Sequence, residues 1–90
     1  MYHIKKYSYN QAKLLGVKIK PSNHKNKKID VYKNDVFICS IGDNRYNDYP
    51  TYLETKGKQY ADKRRELYHL RHRKENVIGT KGYYSLHILW

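Results

Sequence analysis

Residues 28–41, KIDVYKNDVFICSI, constrain the fold of this chain more than any other stretch. Ile29 and Val31 alternate with Asp30 and Tyr32, the period of a strand with one buried face. After Lys33-Asn34-Asp35 comes a second run of β-formers: Val36, Phe37, Ile38, Cys39 and Ile41. Asn34-Asp35 can take the positive φ angles of a tight turn, though less easily than Asn-Gly. The stretch predicts a central antiparallel β-hairpin over about 28–41 with one packed face. Whatever else the chain forms must cover that face.

The flanking segments supply helices. Ser8 and Gln11 have the spacing of a capping box, in which each side chain reaches the other's free backbone N–H. Gly16 suits the left-handed position that ends a helix. Together they predict a short helix over about 9–15, with Ala12 and either Leu14 or Leu15 facing inward. Tyr2 and Ile4 share a face of a short strand predicted within Met1–Tyr7. AKLLGV resembles the first helix and turn of a helix-turn-helix, but no second helix can follow. VKIKPS alternates, and Pro21 pushes Lys20 toward an extended conformation, so Val17 and Ile19 read as a short strand.

Pro50 suits the first turn of a helix running through Tyr52 and Leu53 to about Lys56, with Gly57 as its stop. Residues 58–75 lack Gly and Pro and predict a long helix. Its narrow apolar stripe holds Tyr60, Leu67 and Leu70, with Ala61 and Tyr68 beside it. Residues 76–82 read as a linker with two glycines, and 83–90, YYSLHILW, as an apolar segment that must dock on the domain or on a second copy. The class is α+β, one domain over residues 1–90. A chain of this length buries only ~60–65% of its unfolded surface.

Charge is the strongest pointer to partners. The formal net charge is +11, and it is unevenly placed. Residues 1–29 hold eight lysines and no acid; 30–62 hold four bases and six acids; 63–90 hold seven bases and two acids. Two basic ends attract polyanions, of which nucleic acid is the commonest. Lys63, Arg64, Arg65, Arg71, Arg73 and Lys74 on the long helix, with His69 and His72 when protonated, are the first candidate phosphate-binding patch, since planar guanidinium donors fit phosphate oxygens. Lys18, Lys20, Lys25, Lys27 and Lys28 form the second, as point charges that position without reading bases. Within the tyrosine-rich SIGDNRYNDYPTY, Pro50 breaks any continuous helix, so the segment reads as a joint between hairpin and helix. Arg45 and Tyr46 are its candidate contact residues.

Other chemistries find less support. His69 and His72 are three apart and can share a metal only if Cys39 or His24 converges on them, and no HExxH or paired-carboxylate spacing accompanies them. No metal site and no cofactor is expected. There is no Gly-rich phosphate loop and no GxSxG, so no catalytic residue is assigned and no small-molecule substrate is expected. Asp43 and Asp48 beside Arg45 leave a metal-dependent nuclease as a third reading; as turn and cap residues they have a simpler role. The second reading is an adaptor that grips an acidic protein or oligomerises through Tyr83, Tyr84, Leu86, Ile88, Leu89 and Trp90. One cysteine excludes an internal disulfide and fits a reducing setting. No apolar run approaches the ~20 residues that span a bilayer, and MYHIKKYSYN lacks a signal-peptide core; neither membrane association nor secretion is expected.

Five segments together resemble a family of small basic proteins of unknown function encoded by giant double-stranded DNA viruses. They are AKLLGVKIKPS, KKIDVY, SIG with YNDYPTY, YADKRRELYHLRH, and the GYY and ILW of the ending. The resemblance spans nearly all 90 residues. It differs at the hairpin turn, where the family has Asn-Gly and this chain has Asn34-Asp35. It implies a viral protein acting in the particle or in the infected-cell cytoplasm, and it supplies no active site. The expected function is non-enzymatic, sequence-tolerant nucleic-acid binding, with DNA ahead of RNA.

Overall fold

The expected hairpin is the centre of the computed structural model, which describes residues 2–90. Strand β2 (Lys27–Lys33) pairs antiparallel with β3 (Val36–Asp43), and β1 (Lys18–Pro21) pairs antiparallel with β2. The sheet order is β1-β2-β3, so Pro21 lies on an edge strand, where its missing N–H is tolerated. Asn34 and Asp35 take φ of 52° and 65°, both positive, as a two-residue turn matched to the strand twist requires. Register places Ile19 opposite Val31 and Ile29 opposite Ile41. These four side chains are buried and form the sheet side of the core.

One irregularity interrupts the hairpin. Val31 pairs with Cys39 but Tyr32 pairs with Phe37, so Ile38 is an extra residue in β3. Such a bulge inverts the facing of the residues beyond it. Phe37 therefore joins Tyr32 on the outer face, their ring centroids 5.7 Å apart, instead of entering the core.

The N-terminal helix, α1 (Lys6–Leu15), starts three residues before the expected point, and residues 2–5 are not a strand. Met1 lies outside the described residues. Ser8 and Gln11 do not form a capping box. Both lie within the helix: Ser8 Oγ donates to the Ile88 carbonyl at 2.8 Å and Gln11 Nε2 to the His87 carbonyl at 3.0 Å. They satisfy the open carbonyls at the end of another helix, a need as general as that of the N-terminal N–H groups. Ala12 is buried and Leu15 packs on the core, while Leu14 is exposed. Gly16 ends the helix at φ 73°, as expected.

Helix α2 (Tyr49–Lys56) begins where Pro50 predicts, and Asp48 caps it by accepting from the Thr51 N–H at 3.0 Å. Gly57 separates it from α3 (Lys58–Arg71), after which Arg73–Glu75 form a 3₁₀ turn. The inward face of α3 is not the expected one. Ala61 is its one fully buried residue and Asp62, Arg65, Tyr68 and His69 are half-buried, whereas Tyr60, Leu67 and Leu70 are exposed.

The C-terminal segment docks on the domain, and its helix begins inside the stretch expected to be a linker. Helix α4 (Lys81–Ile88), capped by Thr80, belongs to the core rather than to a tail beyond a linker. Tyr84, Leu86, Ile88 and Leu89 are at most 5% exposed. A Cβ on Gly82 would stand 2.6 Å from Glu75 Cβ, so the 3₁₀ turn and α4 touch at a glycine.

Gly42 joins two constraints. Its φ is +79°, and a Cβ there would meet Leu89 Cδ1 at 2.6 Å and Lys28 Cδ at 3.0 Å. Gly16 has a similar φ but open space around it. Gly16→Ala should cost only the left-handed conformation, about 1–2 kcal/mol. Gly42→Ala should add overpacking of about 1–3 kcal/mol. Urea unfolding of both variants checks this, and equal losses would contradict the packing described at Gly42.

Candidate nucleic-acid interface

The joint between hairpin and α2 is built on one buried ion pair. Lys28 Nζ lies 2.8 Å from Asp48 Oδ2, with the two side chains 5% and 1% exposed. The Tyr2 hydroxyl donates to the same oxygen at 2.7 Å, and the Lys28 ammonium sits 5.3 Å from the Tyr2 ring centroid. Burial works against the Asp48 carboxylate. The charge of Lys28 and hydrogen bonds from Lys28, Thr51 and Tyr2 outweigh it and hold Asp48 below the usual carboxylate range. Burial, reinforced by Asp48, pushes the Tyr2 phenol far up. Lys28, expected in a phosphate-binding patch, is thus a structural residue; its charge came into the sequence reading without its partner.

Beyond the joint, residues 43–47 arch beside α3. Arg45 grips Asp43 with both Nε and Nη2, the shortest contact 2.7 Å, and these bonds hold the Asp43 carboxyl down at about 2. Tyr46 is 68% exposed, with the Arg45 guanidinium 5.8 Å from its ring centroid. Of the expected pair, Tyr46 is open and Arg45 is engaged by Asp43. Asp43 and Asp48, considered together for a nuclease, each have cationic partners within the fold. Among the described residues no three His, Cys, Asp or Glu side chains gather where they could hold a metal ion.

Between this loop and α3 lies a cleft of about 530 Å³. Tyr46, Tyr52, Tyr68 and Trp90 supply its rings, Arg64 and Arg71 its cations, and Lys28 and Leu89 its most buried lining, with Gly42, Asp43 and His72 also at its wall. The aromatic side chains form a column. Tyr68 is stacked between Trp90 and His72, at 4.2 Å from each, with Trp90 tilted by only 7°. Tyr52 approaches Trp90 at 6.2 Å, and Arg64 lies 5.8 Å from the Tyr52 ring centroid. A second, more open hollow adjoins it, sharing Gly42, Tyr68, His72 and Ser85 and adding Lys74 and Lys81. Lys27 lies close enough to Lys81 that their contact, with burial and charge repulsion, lowers the Lys27 pKa. The cations Arg64, Arg71, Lys74, Lys81 and Lys27 therefore line one path.

The expected basic residues divide by role. Lys63, Arg64, Arg71, Arg73 and Lys74 are exposed, and none has a carboxylate within 4.0 Å among the described residues. Lys63 lies on another side of α3, lining a hollow with Lys56. Arg65 packs 4.1 Å from the Tyr49 ring centroid and faces Asp62 at 3.8 Å. His69 bonds the Trp90 carbonyl oxygen at 3.1 Å, and His72 pairs with Glu75 at 2.7 Å. Lys18 and Lys20 are exposed on β1, the opposite edge of the sheet from β3, where they line a hollow with Lys13 of α1. Lys25 is exposed in the loop before β2. The two expected patches are therefore divided differently: Lys28 lines the cleft with the cations of α3 and Lys27 adjoins Lys81, whereas Lys18 and Lys20 line a separate hollow.

Of the six residues assigned to an intermolecular contact, Tyr84, Leu86, Ile88 and Leu89 are inside the domain, while Tyr83 and Trp90 are half-buried. The segment docks on its own chain, the first of the two expected arrangements. Sequence reading missed Lys81, hidden in an expected linker, and the ring column. The signal available for the column was the i, i+4 pair Tyr68 and His72; Tyr52 and Trp90 come from distant segments.

Fold and cleft together define a small α+β domain with a basic, aromatic-lined hollow. Comparison of the chain with family models, curated proteins and solved structures finds no match.

The Asp48 geometry has a pH consequence. A carboxylate whose pKa is lower in the folded state contributes stability above the unfolded value, near 4, and loses it as pH falls toward the folded one. Folding free energy should therefore drop as pH falls below about 5. Asp48→Asn should be less stable at pH 7, because it leaves Lys28 buried without its counter-charge, and should fall less steeply below pH 5. Urea melts from pH 3 to 7 test this; parallel profiles for the two proteins would refute the account of Asp48.

Proposed function

We propose that this protein binds nucleic acid without catalysis and with little sequence preference, through phosphate contacts. One observation carries the reading: Arg64, Arg71, Lys74 and Lys81 line two adjoining hollows, and among the described residues no carboxylate lies within 4.0 Å of any of them, Asp43 and Glu75 of the same lining being paired with Arg45 and His72. Cations kept unpaired beside one another raise the local positive potential, which a polyanion relieves with release of its condensed counterions. Arg73, exposed between Arg71 and Lys74 in the chain, is a further cation beside them. The net charge of +11 supports the same direction. In the setting implied by the resemblance to giant-virus proteins, the polymer is viral DNA and the place of action the particle or the infected-cell cytoplasm. No helix among the described residues is long and apolar enough to cross a membrane.

If the five cations Arg64, Arg71, Arg73, Lys74 and Lys81 each neutralise a phosphate, log affinity for duplex DNA should fall with log salt at a slope near about −4.5. Arg71→Ala should reduce the slope by about 1. Lys63→Ala, off the path, should change it far less. A salt titration by mobility shift or anisotropy decides the matter, and a flat response sinks the reading.

A further inference from the structure

We infer that the cleft between residues 43–47 and α3 takes an unpaired nucleobase, so that the preferred ligand is single-stranded rather than duplex nucleic acid. This rests on the reading above and narrows its substrate. The cleft, at about 530 Å³, falls in the size range of small-ligand sites and is far too small for a duplex to enter.

Its lining has the two parts that single-strand recognition needs. Rings offer π-faces that accept any base, and cations follow the phosphates. Tyr46 is the free platform, 68% exposed beside Arg45. Its loop is held by the Asp43–Arg45 pair and by the close passage of Gly42 over Leu89 and Lys28. Trp90, stacked on Tyr68, presents a ring to the same cleft. A mobile ring would lose entropy on stacking; Trp90, already stacked on Tyr68, is placed in advance, which lowers the cost of binding.

Arg64 and Arg71 lie seven residues apart on α3 and both line the cleft. At 1.5 Å per residue their separation along the helix is about 10.5 Å. A stacked strand rises about 3.4 Å per nucleotide, so the two helix positions are about three nucleotide steps apart. Phosphates about three steps apart, with the intervening bases facing the rings, fit this spacing. In a duplex each base is already stacked and paired, and its faces cannot reach the rings unless it leaves the helix.

Trp90 is the one tryptophan of the chain, so its emission reports occupancy of the cleft. The full-length protein should be titrated with a ten-nucleotide oligothymidylate, an abasic ten-mer of equal phosphate count, a ten-base-pair duplex and a polyglutamate of matched charge. Oligothymidylate should shift Trp90 emission and bind at least about tenfold tighter than the abasic strand or the duplex, because one stacked base is worth roughly a factor of five to a hundred or more. Tyr46→Ala, at an exposed position, should bring the ratio of oligothymidylate to abasic affinity down about tenfold, with circular dichroism confirming the fold. Equal affinity for oligothymidylate and the abasic strand would overturn the inference while leaving phosphate-driven binding intact. Polyglutamate binding as tightly as oligothymidylate would overturn it too, in favour of an acidic protein partner. Binding of no nucleic acid at all would remove the proposed function, and this inference with it.

Discussion

The Lys28–Asp48 pair is the contact on which the remaining architecture depends. Asp48 accepts from Lys28 of β2, from Tyr2 of the N-terminal segment and from the backbone of α2. Three separate pieces of chain thus meet at one carboxylate that is almost wholly shielded from water. Two charges removed from solvent are costly, and such a pair gains only when its geometry is good and its other lone pairs are used. Here both oxygens have partners, and no buried side-chain polar atom among the described residues is left without one. The result is less a source of stability than a fixed registration of α2 against the sheet. Because residues 43–47 run directly into Asp48, their position beside α3 follows from that registration.

A second cross-link lies close by, since the Leu89 carbonyl accepts from the Tyr49 N–H at 3.0 Å. Helix α4 ends against α1, where Ser8 and Gln11 take up the carbonyls of Ile88 and His87. Ile88 and Leu89 are buried together with Ala12, Val17 and the sheet residues. A small domain has little core to share, and this one extends its core by folding the C-terminal helix between α1 and β3. Trp90 emerges at the end of that helix to join the ring column. The core and the cleft are therefore one construction: moving α4 would move both.

What was legible in the sequence was local. The hairpin, the Asn34-Asp35 turn, the Gly16 stop and the Pro50 start depend on residues within a few positions of one another, and all are present. The stripe of α3 was not legible because Leu67 and Leu70 outrank Ala61 in hydrophobicity, whereas the packed helix buries Ala61 and leaves both leucines exposed. Ser8 and Gln11 have two possible hydrogen-bonding uses at the same spacing, and only the position of α4, about 80 residues away, selects between them. Lys28 counted as one more cation until Asp48, twenty residues on, was placed beside it. For the candidate site the cations Arg64, Arg71, Arg73 and Lys74 were recognisable by composition alone. The rings were not, because Tyr52, Tyr68 and Trp90 come together only after two helices and a sheet have packed.

The extra residue at Ile38 has a consequence for the protein's behaviour in a crowded solution. Strand β3 is an edge of the sheet, and its tip exposes Val36, Phe37 and Ile38 side by side. A straight strand of that composition is a template onto which a second chain can add, the first step toward fibrillar assembly. The bulge breaks the even spacing of backbone donors and acceptors and increases the local twist, while Lys33 and Asp35 place charge beside the tip. An apolar edge is thereby kept from reading as a continuous strand to its neighbours at a site where composition alone would favour stacking.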